Sequence, residues 1–159
     1  MENSEVRTMK SLYIAAEKLV KWNDHGQLAV ERATTMALCS HRTTTQFVVC
    51  FAPARFGLYF DDRRDVEEAW KVMADVLKEA GFVAHRVVMF DEDIDWGVLR
   101  RARLVEDPAP VFLTDSDDDR AMARGLGMKC ISDVPVQFAR RRVDVPYAVK
   151  TLFHAAVRA

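Results

Sequence analysis

Glycine, cysteine and long apolar runs are all scarce in this 159-residue chain, and each scarcity removes a class of function. The six glycines are scattered and form neither the dinucleotide fingerprint nor the nucleotide-triphosphate loop, which disfavours nucleotide cofactors. No Ser or Cys sits between glycines on a strand-to-helix elbow, which removes acyl-transfer hydrolase chemistry. The three cysteines, Cys39, Cys50 and Cys130, lack metal-type spacing. Cys50 and Cys130 fall in apolar strand runs, where cysteine acts as a small buried hydrophobe, so an intracellular, reducing compartment is expected. The four histidines, His25, His41, His85 and His154, share no ligand spacing and are not expected to be catalytic. No apolar run approaches the roughly 18 residues that span a bilayer, so no membrane partner is expected. Met9–Lys21 is amphipathic in the manner of a weak organelle-targeting segment, but Glu2, Glu5 and Glu17 oppose that use and favour the cytoplasm. A formal net charge of -1 supplies no global field for nucleic acid or membrane, so either partner would need a local patch.

What is present is alternation. Leu12, Ala15, Ala16, Leu19 and Val20 recur at helical spacing and predict a helix from Val6 to Trp22, ended by Asn23-Asp24-His25-Gly26. A second helix, from about Gln27 to Cys39, would complete an N-terminal helical hairpin over residues 1–45. The apolar, β-branched run Gln46–Phe51 reads as a strand, with Phe56–Phe60 as its partner in an antiparallel edge hairpin. Val66, Ala69, Trp70, Met73, Val76, Leu77 and Ala80 then keep strict helical spacing up to Gly81. A strand at His85–Phe90, a helix at Ile94–Leu104, a strand at Val111–Thr114, a helix from about Asp118 to Leu126 and a strand at Lys129–Ser132 follow. A last helix is predicted from Pro146 to Val157. Repeated β-α units mean a three-layer, Rossmann-like α/β domain over residues 46–159, with a mainly parallel sheet of four to five strands.

Four of these strands run directly into acids: Asp61-Asp62, Asp91-Glu92-Asp93, the Asp115–Asp119 run, and Asp133. Parallel strands put their C-terminal ends on one sheet edge, where open α/β folds place ligands. Several carboxylates converging there can hold Mg²⁺ or Mn²⁺, and Asp61, Asp91, Asp115 and Asp117 are the candidate ligands. Asp is equally a favoured N-cap, and carboxylates in a first helical turn complement the helix dipole, so capping alone can account for one or two acids at every junction. What speaks for metal is excess, since Asp115-Ser116-Asp117-Asp118-Asp119 holds more carboxylates than one cap uses.

The run from Val111 to Ser132, strand–acids–helix–strand with Leu126-Gly127 closing the helix, resembles the closing segment of PIN and NYN nucleases. That resemblance implies a metal-dependent ribonuclease, or a catalytically degenerate relic of one, acting on RNA, with Asp61 or Asp62 as a further ligand. Leu58-Tyr59-Phe60-Asp61-Asp62, followed by a helix ending Glu79-Ala80-Gly81-Phe82, is similar instead to the opening of response-regulator receiver domains. Asp115-Ser116-Asp117 after a strand also resembles the metal-binding pair of nucleotide-sugar transferases. It is similar as well to the nucleophile motif of haloacid dehalogenases, with Asp118-Asp119 where that motif has Gly-Thr.

Two functional readings follow. In the first, the four aspartates bind the metal, the metal activates a water, and Arg120, Arg140 and Arg141 hold the substrate phosphate. In the second, the acids cap helices and the chain is a non-catalytic Rossmann-like or receiver-like subunit of a larger assembly. There the apolar face of the N-terminal hairpin carries the partner contact.

Overall fold

The computed structural model describes residues 10–102 and 110–134. Five strands form one all-parallel sheet in the order β5-β4-β1-β6-β7. These are β1 (Lys10–Ala15), β4 (Thr45–Phe51), β5 (Arg86–Met89), β6 (Val111–Leu113) and β7 (Lys129–Ile131). The connections carry α1 (Arg32–Cys39), α2 (Arg63–Glu79), α3 (Trp96–Ala102) and α4 (Asp117–Gly125), so the fold is the Rossmann-like α/β arrangement expected from the alternation.

Period-two alternation along the strands divides the core between the two faces of the sheet. Leu12, Ile14, Phe47, Val49, Phe51 and Leu113 pack with Leu38 of α1 and Val66, Met73 and Leu77 of α2. Tyr13, Ala15, Val48, Cys50, Val88 and Phe112 face the other way, against Leu99 of α3 and Ala123 of α4. Strands covered on both faces need continuous apolar sequence, which explains why Phe47 to Ala52 carries no charge. The Phe47 and Phe82 rings stack at 5.4 Å and close the end of the first layer.

Helix α2 follows its sequence logic closely. Asp62 accepts a hydrogen bond from the Arg64 amide as N-cap, and Gly81, at φ 90°, takes the left-handed position beyond the last turn. The later predicted strands and helices appear within a residue or two of their expected ends, with α4 starting and stopping one residue early; Arg103 and Leu104, the predicted end of the helix at Ile94–Leu104, lie outside the described residues. The helix predicted at Pro146–Val157 lies outside the described residues.

The N-terminal helical hairpin does not form. Lys10–Ala15 is the central strand of the sheet, paired in parallel with β4 on one side and β6 on the other. After a 3-10 turn at Ala16–Lys18, β2 (Val20–Trp22) and β3 (Leu28–Val30) make a small antiparallel hairpin around Asn23 and Gly26. The apolar set read as one helical stripe belongs to a run that is buried all round: Leu12, Ala15, Ala16, Leu19 and Val20 are each 7% exposed or less. A short, fully buried apolar run satisfies helical and strand templates alike, and here pairing on both edges selects the strand. The helical face expected to meet a partner is therefore core.

Phe56–Phe60 is not a strand either. Pro53–Phe56 forms a 3-10 turn stopped by Gly57 at φ 73°, and the edge of β4 that an antiparallel hairpin would have used is taken by β5.

Candidate functional site at the crossover of the sheet

The chain runs β1→β4→β5 outward in one direction, then returns across β1 to lay down β6 and β7 on the other side. The reversal falls between β1 and β6, and the crevice beyond the C-terminal ends of those strands is where such sheets admit ligands. Three segments meet there: Ala16–Lys18 after β1, Ala52–Phe56 after β4, and Thr114–Asp119 from the end of β6 into the first turn of α4.

Lys18 reaches across the crevice, its Nζ 2.9 and 3.1 Å from the two carboxylate oxygens of Asp115. Arg55 lies deeper. Its Nη1 and Nη2 grip both oxygens of Asp119 at 2.5 and 2.7 Å, Nη1 also donates to Glu17 Oε2 at 2.9 Å, and Nε donates to Asp93 at 2.7 Å. One guanidinium thus ties together the segments after β1 and β5 and the start of α4. Burial alone would make Arg55 easier to deprotonate, but its hydrogen bonds to Asp119, Glu17 and Asp93 drive its pKa far the other way. Asp119, 2% exposed, also accepts from the Thr114 hydroxyl, while its own amide donates to Ser116, the N-cap of α4. Glu17 Oε1 is buried with no hydrogen-bond partner among the described residues.

Beneath the crevice, Cys50 stands opposite Ala15 in the β1–β4 register. Burial first, and the Glu17 carboxylate second, push its thiol well above the ordinary range. Cys50 is therefore a neutral thiol, not a thiolate nucleophile.

The four predicted metal ligands are not brought together. Asp115 is paired with Lys18, Asp91 with Arg63 at 2.7 Å, and Asp117 with Arg120 at 2.6 Å. Asp61 sits in the exposed bend before α2, one residue ahead of the acid that caps it. Among the described residues, no group of three or more His, Cys, Asp or Glu side chains is placed to hold a metal ion. Of the predicted phosphate-binding arginines, Arg120 is spent on Asp117 and on the Ser132 hydroxyl, tying α4 to the exit of β7. Arg140 and Arg141 lie outside the described residues. The residues that do converge, Glu17, Lys18 and Arg55, were hidden by the element assignments: the first two were placed on a helix and the third in a loop between strands. Their signal was polarity out of place, a lone Glu-Lys pair inside Leu12–Val20 and an Arg just after the apolar β4 run.

No protein-family model matches the chain, and no curated protein does. Its fold is similar to the crystal structure of D,D-heptose 1.7-bisphosphate phosphatase from B. bronchiseptica complexed with magnesium and phosphate. The TM-score is 0.58 at 13% identity, covering 86% of this chain and all of that one. At that identity the likeness establishes a shared Rossmann-like fold. It overturns the PIN and NYN resemblance: the neighbour is a phosphatase, not a nuclease. The segment that suggested a nuclease, Val111 to Ser132, is a strand–helix–strand unit that many α/β folds share. The expectation of a divalent metal has its counterpart in the neighbour's magnesium.

The residues of this chain do not fit such an ion. Asp119 and Asp115 each have both oxygens bound by an internal cation, and Glu17 has one oxygen on Arg55. An ion could reach these oxygens only by displacing Arg55 or Lys18, and among the described residues no three acidic side chains are placed to hold it.

Among the described residues, no helix is long and apolar enough to cross a membrane.

Proposed function

We propose that this chain is a phosphatase-fold domain that binds a phosphorylated small molecule in the crevice between the ends of β1 and β6 and does not hydrolyse it. The observation that carries this reading is the end of the central strand. Ala15 and Ala16, both fully buried, stand where β1 opens into the crevice and offer no nucleophile, base or ligand. The groups nearby are already committed. The Thr114 hydroxyl donates to Asp119, Ser116 caps α4, and the Cys50 thiol is held neutral. Lys18 is the cation best placed for an anionic ligand, because its partner Asp115 is 60% exposed. A pair with so exposed a partner is worth at most about 1 kcal/mol, little enough for a phosphate dianion to displace the carboxylate. The fold likeness supports phosphate as the ligand chemistry, since the neighbour was captured with phosphate.

The test is titration calorimetry with phosphomonoesters of sugars, with and without Mg²⁺, alongside ³¹P NMR of the same mixtures. Binding that persists in EDTA, is lost in Lys18→Met and releases no inorganic phosphate is the expected result. Phosphate release that requires Mg²⁺ and disappears in Asp115→Asn would replace this reading with the metal-dependent hydrolysis of phosphate esters that the fold also supports. No binding under either condition would leave the domain with a structural role.

A further inference from the structure

The opposite edge of the sheet, where β4 and β5 begin, holds a cavity of about 400 Å³ between the C-terminal ends of α1 and α2. We propose that this cavity binds a small organic acid, its carboxylate received by Arg42, Thr43 and His85 and its apolar body laid along Phe82, Val83 and Ala84. The site is separate from the crevice at the other edge and stands whether or not a phosphorylated ligand binds there.

The imidazole is fixed by the strand beside it. The Phe47 amide donates to His85 Nδ1 at 2.9 Å, and the His85 amide donates to the Phe47 carbonyl at the same distance. A ring nitrogen that accepts carries no hydrogen, so the proton of this imidazole is on Nε2, which has no partner among the described residues. The Phe47 ring meets the His85 ring edge-on and stacks on Phe82, so both walls are set before a ligand arrives. Arg42 and Thr43 are exposed, and among the described residues neither side chain has an ion pair or hydrogen bond. No Asp or Glu lines the cavity. The helix ends beside it supply carbonyls, but these are in use: Cys39 accepts from the Arg42 amide, Leu77 and Lys78 from the amides of Phe82 and Gly81, and Gly81 from the Cys39 thiol. What is left for a ligand is a set of donors, and a guanidinium fork meets a carboxylate with two parallel hydrogen bonds. Val83, 64% exposed, is an apolar side chain left in water on the same wall. A mostly apolar wall with a few convergent polar groups, in a volume of roughly 300–1,000 Å³, is the make-up of a small-molecule site.

Amide-resolved ¹H–¹⁵N NMR of the full chain, titrated with phenylacetate and with 4-methylpentanoate and then with the neutral amides of the same acids, tests the proposal. Saturable shifts at Arg42, Thr43, Val83, Ala84 and His85 are expected with at least one acid, and its amide should bind on the order of tenfold more weakly. Arg42→Gln should weaken the acid by a similar factor while melting with the wild type, because Arg42 is exposed and its side chain holds nothing in place. Val83→Ser should weaken both the acid and its amide. Neither acid shifting these signals at millimolar concentration overturns the proposal, and so does equal binding of an acid and its amide; both results are read on the wild type and do not depend on how a variant folds. A folded Arg42→Gln that binds like the wild type overturns it too. Shifts confined to Lys18 and Asp115 would put the acid in the crevice and overturn the separate site. None of these readouts uses a phosphate ester, so failure here is separable from failure of phosphate binding.

Discussion

The Thr114 hydroxyl donates to Asp119 Oδ2 at 2.7 Å, joining the residue that follows β6 to the first turn of α4, and the two residues are 1% and 2% exposed. Because both are enclosed, the bond cannot be exchanged for water when one partner is lost. Thr114→Val, which keeps the shape and removes the donor, is expected to cost about 1–3 kcal/mol in urea unfolding, whereas Thr114→Ser should cost much less. Equal losses for the two would show that packing, not the hydroxyl, holds this junction.

Asp119 depends more heavily on Arg55. Asp119→Asn breaks a largely buried pair from one side and is expected to lower stability by about 3–5 kcal/mol. Combined with Arg55→Gln, the loss should fall short of the sum of the two single losses, since the second change no longer strands a charge. Strict additivity in this double-mutant cycle would mean the two side chains act independently.

Alkaline pH should weaken the fold through Cys50. Its thiol lies well above the ordinary range because of burial first and the nearby Glu17 carboxylate second, so the native state holds the proton that the unfolded chain releases. The contribution is fully present below the unfolded thiol value of about 8.5 and is lost progressively as pH rises beyond it. Cys50→Ala should flatten the decline in stability between about pH 8.5 and 10. It should not abolish it, because burial also raises Cys130. An unchanged slope would remove Cys50 from the account.

Acid acts through Asp93 with the opposite sign. Burial pulls its pKa upward, but the hydrogen bond from Arg55 and the Ile94 amide outweigh it and hold the carboxyl below its ordinary value. The stabilisation is present above about pH 4, the unfolded value, and fades as pH falls through the lower native value. Asp93→Asn is expected to shallow the acid limb of the stability profile with little change at neutral pH, given how exposed the group is. A steeper acid limb would contradict the assignment.

The β2–β3 hairpin is pinned to the segment carrying Arg55 by Trp22, whose indole Nε1 donates to the Phe56 carbonyl at 2.8 Å. Trp22→Phe keeps most of the ring and loses the donor, for an expected loss of about 0.5–1.5 kcal/mol. No loss in chemical denaturation would show the hairpin held by β3 against α2 alone.

Much of the fold was legible because the later units obey simple rules. Helix α2 has strict helical spacing between an Asp cap and a Gly stop, and β4 is apolar because both its faces are covered. The first thirty residues misled for a physical reason: a run apolar on every side has no polar face to betray its period, and only its partners β4 and β6, far along the chain, make it a strand. Site residues were harder. The acids at the strand ends were visible, but which cation neutralises which acid is a fact of three dimensions: Lys18 meets Asp115 across 97 residues and Arg55 meets Asp119 across 64. A pattern of like charges suggested an empty ligand set, and long-range cations turn out to fill it.

The central place of β1 bears on how the chain is made. As it leaves the ribosome, β1 can pair with β4 as soon as Phe51 is out, yet its other edge waits for β6, roughly sixty residues and some 3–12 s later at ordinary synthesis rates. Throughout that interval the central strand of the sheet, buried from Ser11 to Ala15 in the finished fold, presents an unpaired edge to its surroundings. The nascent chain, more than the finished domain, is where a chaperone would be needed, and slowing translation between Phe51 and Val111 should cost yield without altering the protein that survives.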